Sequence, residues 1–415
     1  MKKIIKNKTV RQFLIWRLWL FIPLFVAIVF LPFRENSIFT TIWGYTTKYV
    51  VVESPFVFPW SNFDGVHYLA IASRGYLDEG RFLPLFPVLV RALATPFSVF
   101  WKIKPFGQLI FWSGLFLSNL FFVLSLFFLK KLLRLDYDEK LVNRVVLLLL
   151  VFPTSFFFVS IYTESLFLLL SILALYFSRK KEWAKAILFS MLLSITRLPG
   201  ILILIPLVYE YCVFELEVFR KIKSSNIKVT KVVVETGKLL LQNWAKLLKF
   251  LLVPVLLIIY SVFNFYKWGD ALYFVNAHAS LGNSREVSSV VFPLITIYRY
   301  LKIFFIVSVK QYEFWITVLE FFSLIFATFG IIFAYLKKVR VSYLLFSIFL
   351  VLLPLLSGTL TGFPRYLLLA FPIFIGFATK IEEGQKKFVW KILIFCSLLL
   401  QAILFSLFAR GWFVA

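Results

Sequence analysis

From Phe13 onward the chain returns again and again to uninterrupted apolar runs, and this pattern constrains the fold more than any single motif does. Candidate spans fall at 13–33, 108–129, 141–160, 164–178, 184–196, 199–214, 248–266, 314–336, 341–356, 366–379 and 389–408. With 61% hydrophobic and only 16% charged residues in 415, the chain lies far from the roughly 45–50% apolar and about 25% charged composition of soluble domains. One globule cannot bury that much apolar surface, whereas a bilayer core about 30 Å thick accepts any helix of roughly 20 apolar residues. The pattern predicts an all-α polytopic membrane protein with about eleven transmembrane helices, in a range of ten to thirteen. Several runs are short for a span and suit helices packed against protein.

The net charge of +25 raises nucleic acid as a partner, but its distribution excludes that class. Lys and Arg cluster in short stretches between apolar runs, as they do in cytoplasmic loops facing anionic headgroups. With the amino terminus inside, segments 1–12, 130–144, 179–185, 215–249, 337–340 and 380–391 hold roughly two thirds of the 45 basic residues. The first apolar run, preceded by Lys and Arg, is too long for a signal peptide and lacks a small-residue cleavage site, so it reads as a retained span. Cys212 and Cys396 lie in apolar runs and read as small core residues rather than as a disulfide.

This orientation divides a single 1–415 membrane domain into functional regions. Segments 34–107 and 267–313 become the large outer loops, with Gly65–Gly75 and Leu85–Val99 suited to interfacial helices. Segment 215–247 becomes a basic cytoplasmic loop of amphipathic helical character. No internal repeat and no Gly-rich phosphate loop is present, which speaks against an inverted-repeat or ATP-driven transporter. The densest polar cluster is SNFDGVHYLAIASRGY, Ser61 to Tyr76, holding Asp64, His67, Tyr68 and Arg74. On a helix, Asp64, His67 and Tyr68 share one face at spacings of three and four.

The string FDGVHYLAIASRGY, followed by RFLPLFPVLVR, resembles the first-loop motif of PIG-V-like mannosyltransferases, a GT-C family. The similarity continues through FPTSFFFVSIYTESLFLLL (Phe152 to Leu170), SITRLPGILILIPLVYEY (Ser194 to Tyr211), WGDALYFVNAHASLG (Trp268 to Gly282), PRYLLLAFPIF (Pro364 to Phe374) and ARGWFVA. It departs at Phe63, where the family usually has Trp, and at His278, where bacterial members often have Gln. The resemblance implies a GT-C-like multi-span enzyme of the cell membrane. Its expected donor is a polyprenyl-phosphate sugar, usually mannose, and its acceptor a glycan, glycolipid or protein on the non-cytoplasmic side. It also implies that the first-loop Asp, here Asp64, is the catalytic residue. Chemistry agrees: a glycosyl phosphate carries its own leaving group, so one carboxylate base suffices where a glycosidase needs two carboxyls. The competing role for Asp64 is a helix cap.

Other candidates flank the outer loops. Tyr162 and Glu164 open a span, where Thr163 could cap and Glu164 could meet the helix dipole; an ionisable group at that depth is equally a site candidate. Arg197 and Arg365 each stand beside a Pro at an outer span end, and a guanidinium fork there suits either the donor phosphate or an ordinary headgroup. His67, Tyr68, Arg74, Tyr162, Glu164, Asn276 and His278 complete the candidate substrate-binding set. No cofactor and no metal is expected: His67 and His278 are too few for a three-histidine site, though a His and carboxylate pair with Asp64 stays open. The alternative is a transporter or flippase of a lipid-linked sugar, which should keep its ionisable groups near the midplane.

Overall fold

The computed structural model describes residues 8–34, 54–77, 79–102, 106–214, 242–277, 290–383 and 387–415, and among these the regular structure is helical, with no strand. The amino-terminal span consists of α1 (Lys8–Trp19) and α2 (Phe21–Phe30). Two helices of the first large loop follow, α3 (Asp64–Arg74) and α4 (Leu85–Val99), and then α5 (Phe106–Leu133), α6 (Glu139–Val151), α7 (Glu164–Arg179), α8 (Trp183–Ser194) and α9 (Leu204–Phe214). The second half holds α10 (Val255–Trp268), α11 (Pro293–Ile306), α12 (Tyr312–Leu336), α13 (Val341–Leu356), α14 (Phe363–Tyr366), α15 (Pro372–Glu383) and α16 (Lys387–Ala409).

Helix α7 is the centre. Residues Glu164 to Leu175 are all buried, as expected of a helix apolar on every side, and α5, α8 and α9 pack around it. Two of its serines bond their own backbone: Ser171 donates to Leu168 O at 2.9 Å and Ser178 to Leu175 O at 2.8 Å. Peripheral helices show the opposite pattern. On α10, Ile258, Ile259, Val262 and Phe265 are exposed, an outward apolar face that water penalises and lipid does not.

Four helices among the described residues are long and apolar enough to cross a membrane: Lys8–Phe30, Phe106–Leu133, Tyr312–Leu336 and Phe388–Ala409. Two bent pairs, Trp244–Leu252 with Val255–Trp268 at 49° and Phe363–Leu369 with Pro372–Glu382 at 80°, bring the number to as many as six. The expected count of about eleven is therefore not confirmed. Each expected run does coincide with helix, but Leu85–Val99, Trp183–Ser194, Leu198–Phe214 and Val341–Leu356 have only 10–17 residues. At about 1.5 Å per residue, such helices fall short of a ~30 Å core. The run 141–160 is also broken: α6 stops at Val151, Phe152 is extended ahead of Pro153, and a 3₁₀ turn covers Ser155–Val159, because proline drives the preceding residue out of helical geometry. Gln401 of α16 ties this break down, donating to Leu150 O at 3.0 Å and Phe152 O at 2.9 Å.

Most of the basic loop, residues 215–241, lies outside the described residues, as do 35–53 of the first large loop and 278–289 of the second. Cys212 is buried as expected, but Cys396 is exposed on the outward face of α16, where an apolar run faces away from the protein rather than into its core.

Candidate functional site

Three chain segments bring Asp64 into place. The carbonyl of Trp60 accepts from Ile161 N–H at 2.7 Å, Tyr162 Oη donates to Asn62 O at 2.7 Å, and Asn62 Nδ2 donates to Phe408 O at 2.8 Å. The loop before α3 is thus fastened to the start of α7 and the end of α16. Gly65 follows Asp64 because a Cβ there would stand 3.2 Å from Ile161 O. Phe63 takes φ 60, an unfavourable conformation for a residue with a side chain, while its ring packs on Phe408 and Phe413. The turn aims Asp64 away from its own helix: α3 has no side-chain cap bond at its N-cap, Phe63. Asp64 does not cap; its Oδ2 accepts from Arg365 Nη1 at 2.7 Å.

That contact opens a chain of alternating charge. Arg365 Nε stands 3.2 Å from Glu164 Oε1, and the same oxygen pairs with Arg197 Nη1. Side-chain exposure grades from 0% at Glu164 through 11% at Arg197 and 12% at Arg365 to 31% at Asp64, so Asp64 is the most exposed of the four. Two of the four begin helices, Asp64 on α3 and Glu164 on α7, where the positive dipole end favours a carboxylate. Glu164 Oε2 accepts no hydrogen bond among the described residues, and Arg365 Nε makes no well-directed one. The cations rest on aromatic faces, Arg197 over Tyr366 at 5.0 Å and Arg365 over Tyr162 at 5.4 Å.

The electrostatics at Asp64 follow from this geometry. Burial raises its pKa, but Arg365 outweighs burial through charge and hydrogen bond, and Arg81 and His67 add to it, so the carboxyl is held at about 2. His67 is lowered, first by burial and then by Arg81; its Nε2 is 3.4 Å from Arg81 Nη2 and its ring stacks on Phe82. Tyr68 reaches Thr163, its Oη 3.4 Å from Oγ1, so Thr163 faces Tyr68 and makes no side-chain cap bond on α7.

Asp64, Tyr162, Glu164, Arg197 and Arg365 therefore converge, with His67 and Tyr68 beside them on α3. Arg74 pairs with Glu79 at 2.7 Å, and the exposed Asn276 donates to Asp270 at 2.8 Å. Each thus finds a carboxylate within six residues of itself. His278 lies outside the described residues. Among the described residues no three His, Cys, Asp or Glu side chains are grouped to hold a metal ion.

One residue absent from the sequence-based set stands out. Glu320, buried on α12, accepts from Tyr300 Oη at 2.6 Å and from Gly362 N–H at 3.2 Å, while Tyr300 Oη accepts from Leu360 N–H at 2.9 Å. Thr154 Oγ1 donates to Pro364 O at 2.8 Å. Together they fix the turn that presents Arg365. A carboxylate inside a long apolar run is costly, and that was the signal available in the sequence.

Residues 26–268, more than half of the chain, match the family model described as Mannosyltransferase (PIG-V). Comparison with individual curated proteins finds no match.

Proposed function

The chain belongs to the PIG-V mannosyltransferase family, and on that premise we propose that it moves mannose, with inversion, from a polyprenyl-phosphate carrier to a glycan, glycolipid or protein acceptor. The reading includes a GT-C-like arrangement with the loops 34–107 and 267–313, and hence the site, on the non-cytoplasmic face of a cell membrane. The bias of Lys and Arg toward the opposite loops supports that orientation.

The observation that carries the proposal is the 2.7 Å contact between Asp64 and Arg365. An inverting displacement forms one bond and breaks another on opposite faces of one carbon, so the base that receives the acceptor proton and the clamp that receives the leaving phosphate must flank the same sugar; their direct contact puts both at one site, and it opens when the donor enters between them. Asp64 takes the hydroxyl proton, the acceptor oxygen bonds to the anomeric carbon, and the carbon to phosphate-oxygen bond breaks with its electron pair passing to the phosphate. Arg365 and Arg197 hold that phosphate with charge-assisted hydrogen bonds.

The pairing also sets an order. Held by Arg365, Asp64 is a poor base. A donor phosphate presents the guanidinium with an alternative anion of matching geometry, and once Arg365 turns to it, Asp64 recovers basicity. Donor binding thereby arms the base.

The test is incubation of purified protein with a polyprenyl-phosphate mannose labelled in the sugar, together with membrane glycan and glycolipid acceptors. Label moving to an acceptor as polyprenyl phosphate is released is the expected result. Carrier crossing the bilayer with no transfer of label is what the transporter alternative predicts.

A further inference from the structure

One residue before Arg365, at Pro364, begins the wall of an apolar cavity of about 200 Å³, partly open to the outside, whose other walls come from α6 and the break after it, α12, α15 and α16. One wall is aromatic: Phe326 stacks on Phe377 at 4.2 Å, and Phe152 packs on Phe374 at 5.3 Å. The opposite side is open between two membrane-length helices, where Phe322 of α12 and Leu400 of α16 are 62% and 37% exposed. The lining residues of α12 all precede Gly330. At Gly330 and Gly376 helices α12 and α15 touch so closely that a Cβ on either would overlap the other helix, so the helices join there and leave the cavity on the Pro364 side. Pro364 lines the cavity, and the next residue is Arg365, which reaches Asp64 and Glu164.

We propose that this cavity between α12 and α16 takes the first isoprenoid units of the lipid-phosphate donor, with the phosphate on Arg365 and the rest of the carrier leaving toward the bilayer past Phe322 and Leu400. The inference rests on the transferase reading and names the carrier's path within it. Continuity selects this occupant over a bulk phospholipid: Pro364 lines the cavity and the next residue carries the guanidinium that meets Asp64 and Glu164, so one turn serves both an apolar wall and a phosphate ligand, the two parts of a phosphate attached directly to a branched hydrocarbon. The scarce polar atoms of the wall, from Thr154, Ser323 and Ser397, make small positions that a chain can pass.

The experiment is photocrosslinking of the full chain in nanodiscs with a polyprenyl phosphate carrying a diazirine in its first isoprene units, followed by mapping of the labelled peptides. Label on residues 319–326 and 393–400 is expected. It should be removed by excess unlabelled polyprenyl phosphate but not by phospholipid or by the polyprenol lacking phosphate. The substitutions Ser323→Trp and Ser397→Trp, which fill the cavity from opposite walls, should each cut labelling roughly tenfold, and one of them suffices if the other fails to fold. Label dispersed over outward faces such as 258–265, or competed equally by phospholipid, overturns the proposal. Because this readout needs no turnover, it fails separately from the transferase reading, which the labelled-mannose assay decides.

Discussion

Two buried glutamates, each paired with arginine, are built to different standards. Glu210 on α9 has both oxygens bonded: Arg340 Nη2 reaches its Oε2 at 2.6 Å, while Arg340 Nε and Ser342 Oγ both donate to Oε1. Glu164, equally buried, crowds two arginines onto one oxygen and leaves the other without a hydrogen bond among the described residues. A carboxylate whose purpose is to hold helices together gains by satisfying every lone pair, since an unpaired buried polar atom costs about 1–3 kcal/mol. The unfinished cluster spends stability on a convergence of charge that packing does not require. On the proposed function, that convergence is the active site, and Arg340 with Glu210 is the internal control.

The sharpest way to break the comparison is to make the same conservative change in both clusters. Arg365→Lys keeps the charge and loses the planar fork. It should lower kcat/KM for the donor roughly 10- to 100-fold, as expected for the loss of a charge-assisted hydrogen bond of about 1.5–3 kcal/mol, with little change in melting temperature. Arg340→Lys should do the reverse, lowering stability by about 1–3 kcal/mol while the donor parameters stay put. If both variants lose stability and neither changes donor kinetics, the two clusters are equivalent and both are structural.

A smaller effect is expected one step removed from the clamp. Glu320→Gln weakens the bracket on the Gly362 turn without touching the charge chain, so KM for the donor should rise about fivefold, the worth of one hydrogen bond near 1 kcal/mol, with kcat nearly unchanged. A fall in kcat with KM unaltered would remove Glu320 from the positioning of Arg365.

The smallest effect concerns pH. In the free protein Asp64 is depressed to about 2, so its carboxylate persists to low pH and kcat/KM, which reports the free enzyme, should show no acid limb from it above about pH 4. In the donor complex Arg365 is diverted and the carboxyl returns toward the ordinary value near 3.9. The acid limb of kcat should therefore lie about one to two pH units above that of kcat/KM. Coincident limbs would contradict the arming of Asp64 by the donor.

Much of this cluster was legible in the sequence because charge at the end of an apolar run is expensive and needs a reason. Glu164, Arg197 and Arg365 each announced themselves in that way, and Asp64 through the polar cluster and motif of the first outer loop, although nothing in their spacing said that one Arg365 would bridge both carboxylates. Glu320 was overlooked because the run 314–336 read as span interior, where one acid among aromatic and aliphatic residues barely lowers hydropathy. Arg74 and Asn276 stood out as polar residues of polar loops, and sequence spacing did not show that each meets a nearby carboxylate, Glu79 and Asp270. The helical class and the helix positions followed from periodicity and composition. The number of crossings did not, because a helix of 10–17 apolar residues has the same hydropathy whether it crosses lipid or rests on α7.

The most direct measurement is the rate of mannose transfer by Asp64→Asn, read beside its melting temperature and donor affinity. The amide keeps the size of the side chain and an oxygen for Arg365, and α3 takes no cap bond from this residue, so the fold should be preserved. With the competing anion neutralised, Arg365 should bind the donor at least as tightly as before. What the amide does not do is accept the acceptor proton, and kcat should fall about 10²- to 10⁴-fold. A folded, donor-binding Asp64→Asn protein that transfers mannose near the parental rate would contradict the assignment of Asp64 as the base.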